Sequence, residues 1–258
     1  MEGLTNKLVV QVGYKDDKGN SKIPPQWIDH INGMYKWGKY LLINLNSEGT
    51  KTTIQTISEG HSDTLTEEGL NLYQKNINNA VIIGHGGDTN SPYFGLSLTS
   101  AGKLLSTLNK LLCSLLSTEE VEHNLRLQVC HAASPNITDN LATKISKAVP
   151  SNWMISAPKY YSFITKDTVV DLPEKIGEYR VGNHPNPMQG LNEIVKNGGL
   201  GTEAEASDTR KGLYNAIVTA NLFSKTSSRE DRIQSIQDYS KQHNPTVIMK
   251  GSRLELHQ

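Results

Sequence analysis

Two cysteines, Cys113 and Cys130, are all that the 258 residues contain. That is too few for a disulfide framework, and it suits a reducing compartment such as the cytosol. Each is then either a small buried hydrophobe or a reactive thiol. An excess of charge is missing too. With 26 basic residues against 26 acidic ones, the chain offers no electrostatic footprint for nucleic acid or for an anionic membrane. Long apolar runs are absent, so no membrane-spanning helix is expected. The opening "MEGLTNKLVVQVGY" lacks the basic segment, apolar stretch and small-residue cleavage site of a signal peptide. Gly-x-Ser-x-Gly is missing as well. The nearest stretch, "GLSLT", fails at its last position, which excludes the α/β-hydrolase esterase that "HGGD" would otherwise invite. His123, Cys130 and His131 fit none of the common zinc spacings and show no fourth ligand, so no metal is expected.

What is present alternates between strand and helix over a length that suits one large α/β domain or a domain with an appendage. "KLVVQVGY" reads as a first strand, and "KYLLINLNSEGTKTTIQTI" as two strands joined by a turn at 47–50. Between them, "PPQWIDHINGMYKWG" opens on a proline pair and reads as a helix. "TLTEEGLNLYQKNIN" reads as another, capped by Thr66, with Leu65, Leu70, Leu72, Tyr73 and Ile77 on one side. "AVIIG" is a short buried strand. In "LTSAGKLLSTLNKLLCSLLSTEE", Ala101, Leu104, Leu105, Leu108, Leu111, Leu112 and Leu115 fall in one apolar stripe, with Cys113 off its centre. "LRLQV" is a further strand leading to Cys130. "PNITDNLATKISKAVP" reads as a helix, "WMISAP" as a strand and "YYSFITKDTVVDL" as a hairpin or flap. From about Asn183, turn formers in "GNHPNPMQG" lead to two helical stretches and a final "TVIMKG". The expected fold is α/β: a central, mostly parallel sheet flanked by helices, with a β-flap. The domain is expected over 1–182, followed by a helical extension over 183–258, packed on the same domain or separate from it.

The stretch "NAVIIGHGGDTN" sets His85 among glycines where a strand stops. Strand, long helix, strand is a βαβ unit with a right-handed crossover, so its two strands run parallel and end on one edge. Ligands of open α/β sheets bind at that edge. His85 follows one of these strands and Cys130 the next, which brings an imidazole and a thiol near each other. A thiol attacks as thiolate, and a neighbouring histidine supplies that activation. The backbone N–H groups of Gly86 and Cys130 are candidate donors for the charge that develops on an attacked carbonyl. A lone histidine or cysteine is more often structural. Their joint placement is what points to catalysis.

At "VIIGHGG", "FGLSLTSAGKLL" and "LRLQVCHAAS" the chain resembles the caspase–gingipain–legumain group of cysteine peptidases. Within that group it resembles above all the self-cleaving cysteine peptidase domain of large bacterial toxins. The likeness covers about Lys7 to Leu172, and its specific parts are the His and Cys motifs. It implies a caspase-like fold and a cysteine endopeptidase working through an acyl-thioester, with His85 as general base and Cys130 as nucleophile. It implies that Asp16, near the end of the first strand, orients the histidine; a plain turn residue in "KDDKGN" is the competing reading. It implies a polypeptide substrate, the chain itself or a narrow set of proteins, and a bacterial effector or toxin acting in a host cell. The toxin domains are switched on by inositol hexakisphosphate in a basic pocket. Lys36 in "MYKWGK" stands where one of its lysines would be, whereas "NINNA", leading to His85, lacks the lysine found there. No cofactor is required for the chemistry itself. The substrate is expected beside the strand after Cys130, near Ser156, Ala157 and Lys159, which suit a small or apolar side chain before the scissile bond. Val129 departs from the glycine of the toxin domains, and His131 is expected to be a support or surface residue. Two other readings of the same residues stay open: a peptidase fold that has lost catalysis and serves as a binding module, and an acyl transferase or deamidase sharing the thioester.

Overall fold

A computed structural model describes residues 4–15, 18–59, 61–86, 91–160, 162–164, 169–171, 228, 231, 234, 237–238 and 241–253. In chain order these give β1 (Lys7–Val12), β2 (Tyr14–Lys15), β3 (Ser21–Lys22), α1 (Gln26–Tyr35), β4 (Tyr40–Leu45), β5 (Lys51–Ser58), β6 (His61–Thr64) and α2 (Glu67–Leu70). There follow β7 (Asn79–Gly84), α3 (Leu98–Leu115), β8 (His123–Gln128), α4 (Leu141–Ser146), β9 (Trp153–Pro158), β10 (Ser162–Ile164), β11 (Val169–Asp171) and β12 (Thr246–Lys250).

The chain divides into two compact units. The first comprises Met1–Lys159, Ile164–Thr168 and Thr246–Gln258. Its eight-stranded sheet has the order β12-β9-β8-β7-β1-β4-β5-β6. The five central strands, from β9 to β4, are parallel. The edges β5, β6 and β12 are antiparallel to their neighbours. A parallel sheet needs cover on both faces, and the alternation of side chains supplies it. Leu8, Val10, Val12, Ala80, Ile82, Leu125, Leu127 and Val129 join the apolar stripe of α3 and residues of α4 in one core. Val9, Leu42, Val81 and Ile83 join Trp27 and Ile31 of α1 on the other face. All seven stripe residues of α3 are buried, and Ser97 caps that helix by accepting from the Ser100 N–H.

Two expected helices are shorter than their patterns. Thr66 caps α2 as expected, but the helix is a single turn, followed by a tighter turn at Asn71–Tyr73. Leu72 is exposed, so this segment has no continuous apolar stripe. Lys75 then adopts a left-handed φ of 55°, which ends the run. In "PNITDNLATKISKAVP" only Leu141–Ser146 is helical. Asn140 caps it at the Thr143 N–H, and the Asn140 amide also donates to the carbonyls of Ser134 and Ile137, holding the preceding residues in turns.

The second unit comprises Tyr160–Phe163 and Val169–Pro245. The expected hairpin is present as the β10–β11 ribbon. Ser162 Oγ donates to Asp171 Oδ1 at 2.6 Å. The helical stretches expected beyond residue 183 fall largely outside the described residues; positions 231, 234, 237, 238, 241 and 242 are helical.

His123, at the start of β8, is 3% exposed, and its ring centroid lies 5.1 Å from that of Trp153. Its Nε2 is buried without a hydrogen-bond partner. Burial holds its pKa below the ordinary histidine value, outweighing the opposite pull of Glu119. The unfolded chain therefore takes up this proton more readily than the folded one. The contribution is fully present above about pH 6.5 and is lost as pH falls toward the folded pKa. Urea unfolding at pH 7.5 and 5.5 should show lower stability at the acidic value. In His123→Phe that difference should shrink; an unchanged difference would assign it to other groups.

Candidate active site

The carboxyl ends of β1, β7, β8 and β9 share one edge of the sheet. In the β7–β8 ladder Ile83 pairs with Gln128, so His85 and Cys130 each stand two residues past the same rung. His85 continues the face of Val81 and Ile83. Its ring makes an edge contact with Tyr14, centroids 4.3 Å apart, and lies 5.7 Å from Trp27 of α1. The residue as a whole is exposed, yet desolvation of its ring against Tyr14 and Trp27 lowers its pKa. A histidine kept neutral in this way is suited to accept a proton.

Both glycines around His85 are demanded by close approach. A Cβ on Gly84 would lie 2.6 Å from Phe94 Cδ1. A Cβ on Gly86 would lie 1.9 Å from the Cys130 carbonyl oxygen and 2.6 Å from Cys130 Cα. The loop after β7 thus runs directly against the peptide of Cys130, and any side chain at 86 would separate them.

Cys130 is half-buried and is not in a disulfide. It sits on a tight turn closed by Ala132 N–H donating to the Val129 carbonyl at 3.1 Å. Ala133 N–H donates to the Pro158 carbonyl at 2.9 Å, tying the turn to the end of β9. His131 occupies the turn with a left-handed φ of 59°. Such a backbone costs a non-glycine residue on the order of 1–3 kcal/mol and is concentrated at functional sites. Val129 is fully buried in the α3-side core, which explains an apolar residue there. Cys113 lies on α3 instead, with Sγ 3.5 Å from the Ala148 carbonyl oxygen.

The remaining sequence candidates are placed as follows. Asp16 lies outside the described residues. Lys36 is the left-handed C-cap of α1. It lines a cleft of about 770 Å³ with Trp37, Glu59, His61 and Ser62, at the amino edge of the parallel strands and so away from His85. Ala157 is fully buried in the α3-side core and paired with Val247 of β12, so its side chain is closed to a substrate. Ser156 and Lys159 are half-buried. His123 opens β8 while Cys130 follows its far end, roughly 20 Å away at about 3.3 Å per residue, so the zinc trio does not assemble. Among the described residues no cluster of three or more His, Cys, Asp or Glu is placed to hold a metal, and no helix is long and apolar enough to cross a membrane. Tyr14, Trp27 and Phe94 were not foreseen. Nothing in their local sequence marks them, because each reaches His85 or its flanking glycine only through the fold.

The molecule is thus an α/β protein with a thiol and an imidazole at the carboxyl edge of a mostly parallel sheet. Among solved structures it is similar to a secreted C11 cysteine protease from Bacteroides thetaiotaomicron, iotapain, with 12% identity over 71% of this chain and 59% of that one, at a TM-score of 0.31. It is also similar to a secreted C11 cysteine protease of the same organism in complex with an irreversible peptide inhibitor, with 10% identity over 87% of this chain and 62% of that one, at a TM-score of 0.32. The chain thus spans about three-fifths of the length of those structures. No protein-family model matches the chain, and no curated protein matches it either. At this degree of likeness, function is read from the chain's own residues.

Proposed function

We propose that the protein is a cysteine peptidase whose Cys130 thiol attacks a peptide carbonyl with His85 as general base. His85 accepts the Cys130 proton as sulfur bonds to the carbonyl carbon, and the N–H groups of Gly86 and Cys130 stabilise the resulting oxyanion. Collapse to the acyl-thioester expels the amine, which takes the proton back from His85, and water then releases the acid. Polypeptide segments enter beside Ser156 and Lys159, the chain's own segments among them. The observation that carries this reading is the approach of the Gly86 backbone to the Cys130 peptide, closer than any side chain would permit.

The test is labelling of the intact protein with a peptidyl chloromethylketone, with and without inositol hexakisphosphate, followed by peptide mapping. Cys130→Ala is expected to abolish labelling, and Cys113→Ala to retain it. Labelling that follows Cys113 would mark ordinary thiol reactivity and sink the proposal. A Cys130→Ala variant with undiminished biological effect would favour a binding module.

A further inference from the structure

Tyr93–Leu96 is a two-residue hairpin turn. The Tyr93 N–H donates to the Leu96 carbonyl at 3.2 Å, and the Leu96 N–H donates to the Tyr93 carbonyl at 3.0 Å. Its central residues, Phe94 and Gly95, have φ of 56° and 76°. Turns with two left-handed residues favour Asn-Gly, and phenylalanine at the first position is strained. The strain has a local counterpart. Phe94 is 4% exposed, and its ring fills the space that a side chain on Gly84 would take. Tyr93 donates its hydroxyl to the Asp139 carbonyl at 2.5 Å, in the segment after Cys130. One turn therefore holds the strand end that carries His85 and also the chain that follows Cys130.

We propose that Phe94 and Tyr93 are positioning residues that fix the separation of His85 and Cys130. The ring of Phe94 wedges under Gly84 and sets the backbone from which His85 projects. The Tyr93 hydroxyl fastens the same turn to the segment beyond the nucleophile. The strained backbone at Phe94 persists because the ring and the hydroxyl are both held, so loss of either lets the turn relax and the imidazole drift from the thiol. This rests on the peptidase reading above.

The experiment is the pH dependence of Cys130 alkylation by iodoacetamide in the full chain, read by peptide mapping, with Cys113 as internal reference and circular dichroism as a check of folding. In the parent, base assistance from His85 places the half-maximal rate in or below the ordinary histidine range, about 6.5. In Phe94→Ala it should move toward the ordinary thiol value of about 8.5, with roughly a tenfold or greater loss of rate at pH 6. Phe94→Leu should lie between the two, and Tyr93→Phe should move less in the same direction. Cys113 should react unchanged throughout, which loss of packing alone would not produce. A parent profile already centred near 8.5 would sink the dyad itself, and this proposal with it. A low parent profile retained by folded Phe94→Leu and Tyr93→Phe would overturn the positioning role while leaving the dyad standing. If Phe94→Ala does not fold, those two variants decide.

Discussion

Gly86→Ala should lose at least about a hundredfold in kcat/KM against any peptide substrate while the protein stays folded. The added Cβ would fall 1.9 Å from the Cys130 oxygen, 2.4 Å from its carbonyl carbon and 2.6 Å from its Cα. These are backbone atoms, so no rotamer change relieves the overlap. Either the loop after β7 or the turn bearing Cys130 must move, by an ångström or more. Displacement of that size in a reacting pair costs about two orders of magnitude in rate, and here it also changes the spacing of the two N–H groups proposed to hold the oxyanion. Val129 and Ala132 anchor the Cys130 turn in the α3-side core, whereas His85 and Gly86 belong to neither core, so it is the start of the loop after β7 that gives way. The melting temperature should therefore fall by only a few degrees, on the order of 1 kcal/mol. Steady-state kinetics together with thermal unfolding check this. An active Gly86→Ala enzyme would mean that the two loops are not in contact.

Trp153→Ala should do the reverse in kind, removing stability rather than chemistry. Trp153 is fully buried, and its Nε1 donates to the Ser117 carbonyl at 2.8 Å. It opens β9, pairs with His123 of β8, and its carbonyl accepts from the Gly251 N–H at 2.9 Å. Truncation leaves a cavity worth about 3–5 kcal/mol and a buried carbonyl without its donor, about 1–3 kcal/mol more. Against a typical total of about 5–15 kcal/mol, the loss is a large fraction of the whole. Urea unfolding should show a midpoint far below the parent's, and a drop in melting temperature of about 10 °C or more. A shift of one or two degrees would indicate that the region around β9 closes over the missing ring. Because β9 also carries Ser156, beside which the substrate is proposed to enter, soluble variant protein should bind substrate more weakly. Its Cys130 should still alkylate as in the parent at temperatures where it is folded.

The legible parts of this chain are those that depend on local periodicity. The stripe of α3 was readable because seven residues recur at helical spacing, and all seven are buried. The strands on either side of that helix were readable as apolar runs ending at glycine and at cysteine. The rule for βαβ crossovers then sufficed to put His85 and Cys130 at one edge. The reading failed where the deciding contact is distant in sequence. After one turn of α2 and the tighter turn at Asn71–Tyr73, the backbone bonds to the end of α3 instead, Lys75 N–H to the Ser114 carbonyl and Ile77 N–H to the Leu115 carbonyl. Its place in the strand after Cys130 suggests a substrate contact for Ala157, but the alternation of β9 turns it into the α3-side core, while Ser156 faces the other way. That "TVIMK" would return to pair with β9 was not indicated by any feature of its own five residues.

The sequence by itself determined the class of fold, the order of the main strands and helices from β1 to β9 and the two residues at neighbouring strand ends, since each follows from the spacing of apolar side chains and one handedness rule. Tertiary structure decided why the histidine stands between glycines. Gly84 makes room for the ring of Phe94 and Gly86 makes room for the Cys130 peptide. That requirement exists only once parallel pairing has set Ile83 against Gln128. Close approach is a property of the register between distant segments, and no local pattern encodes it.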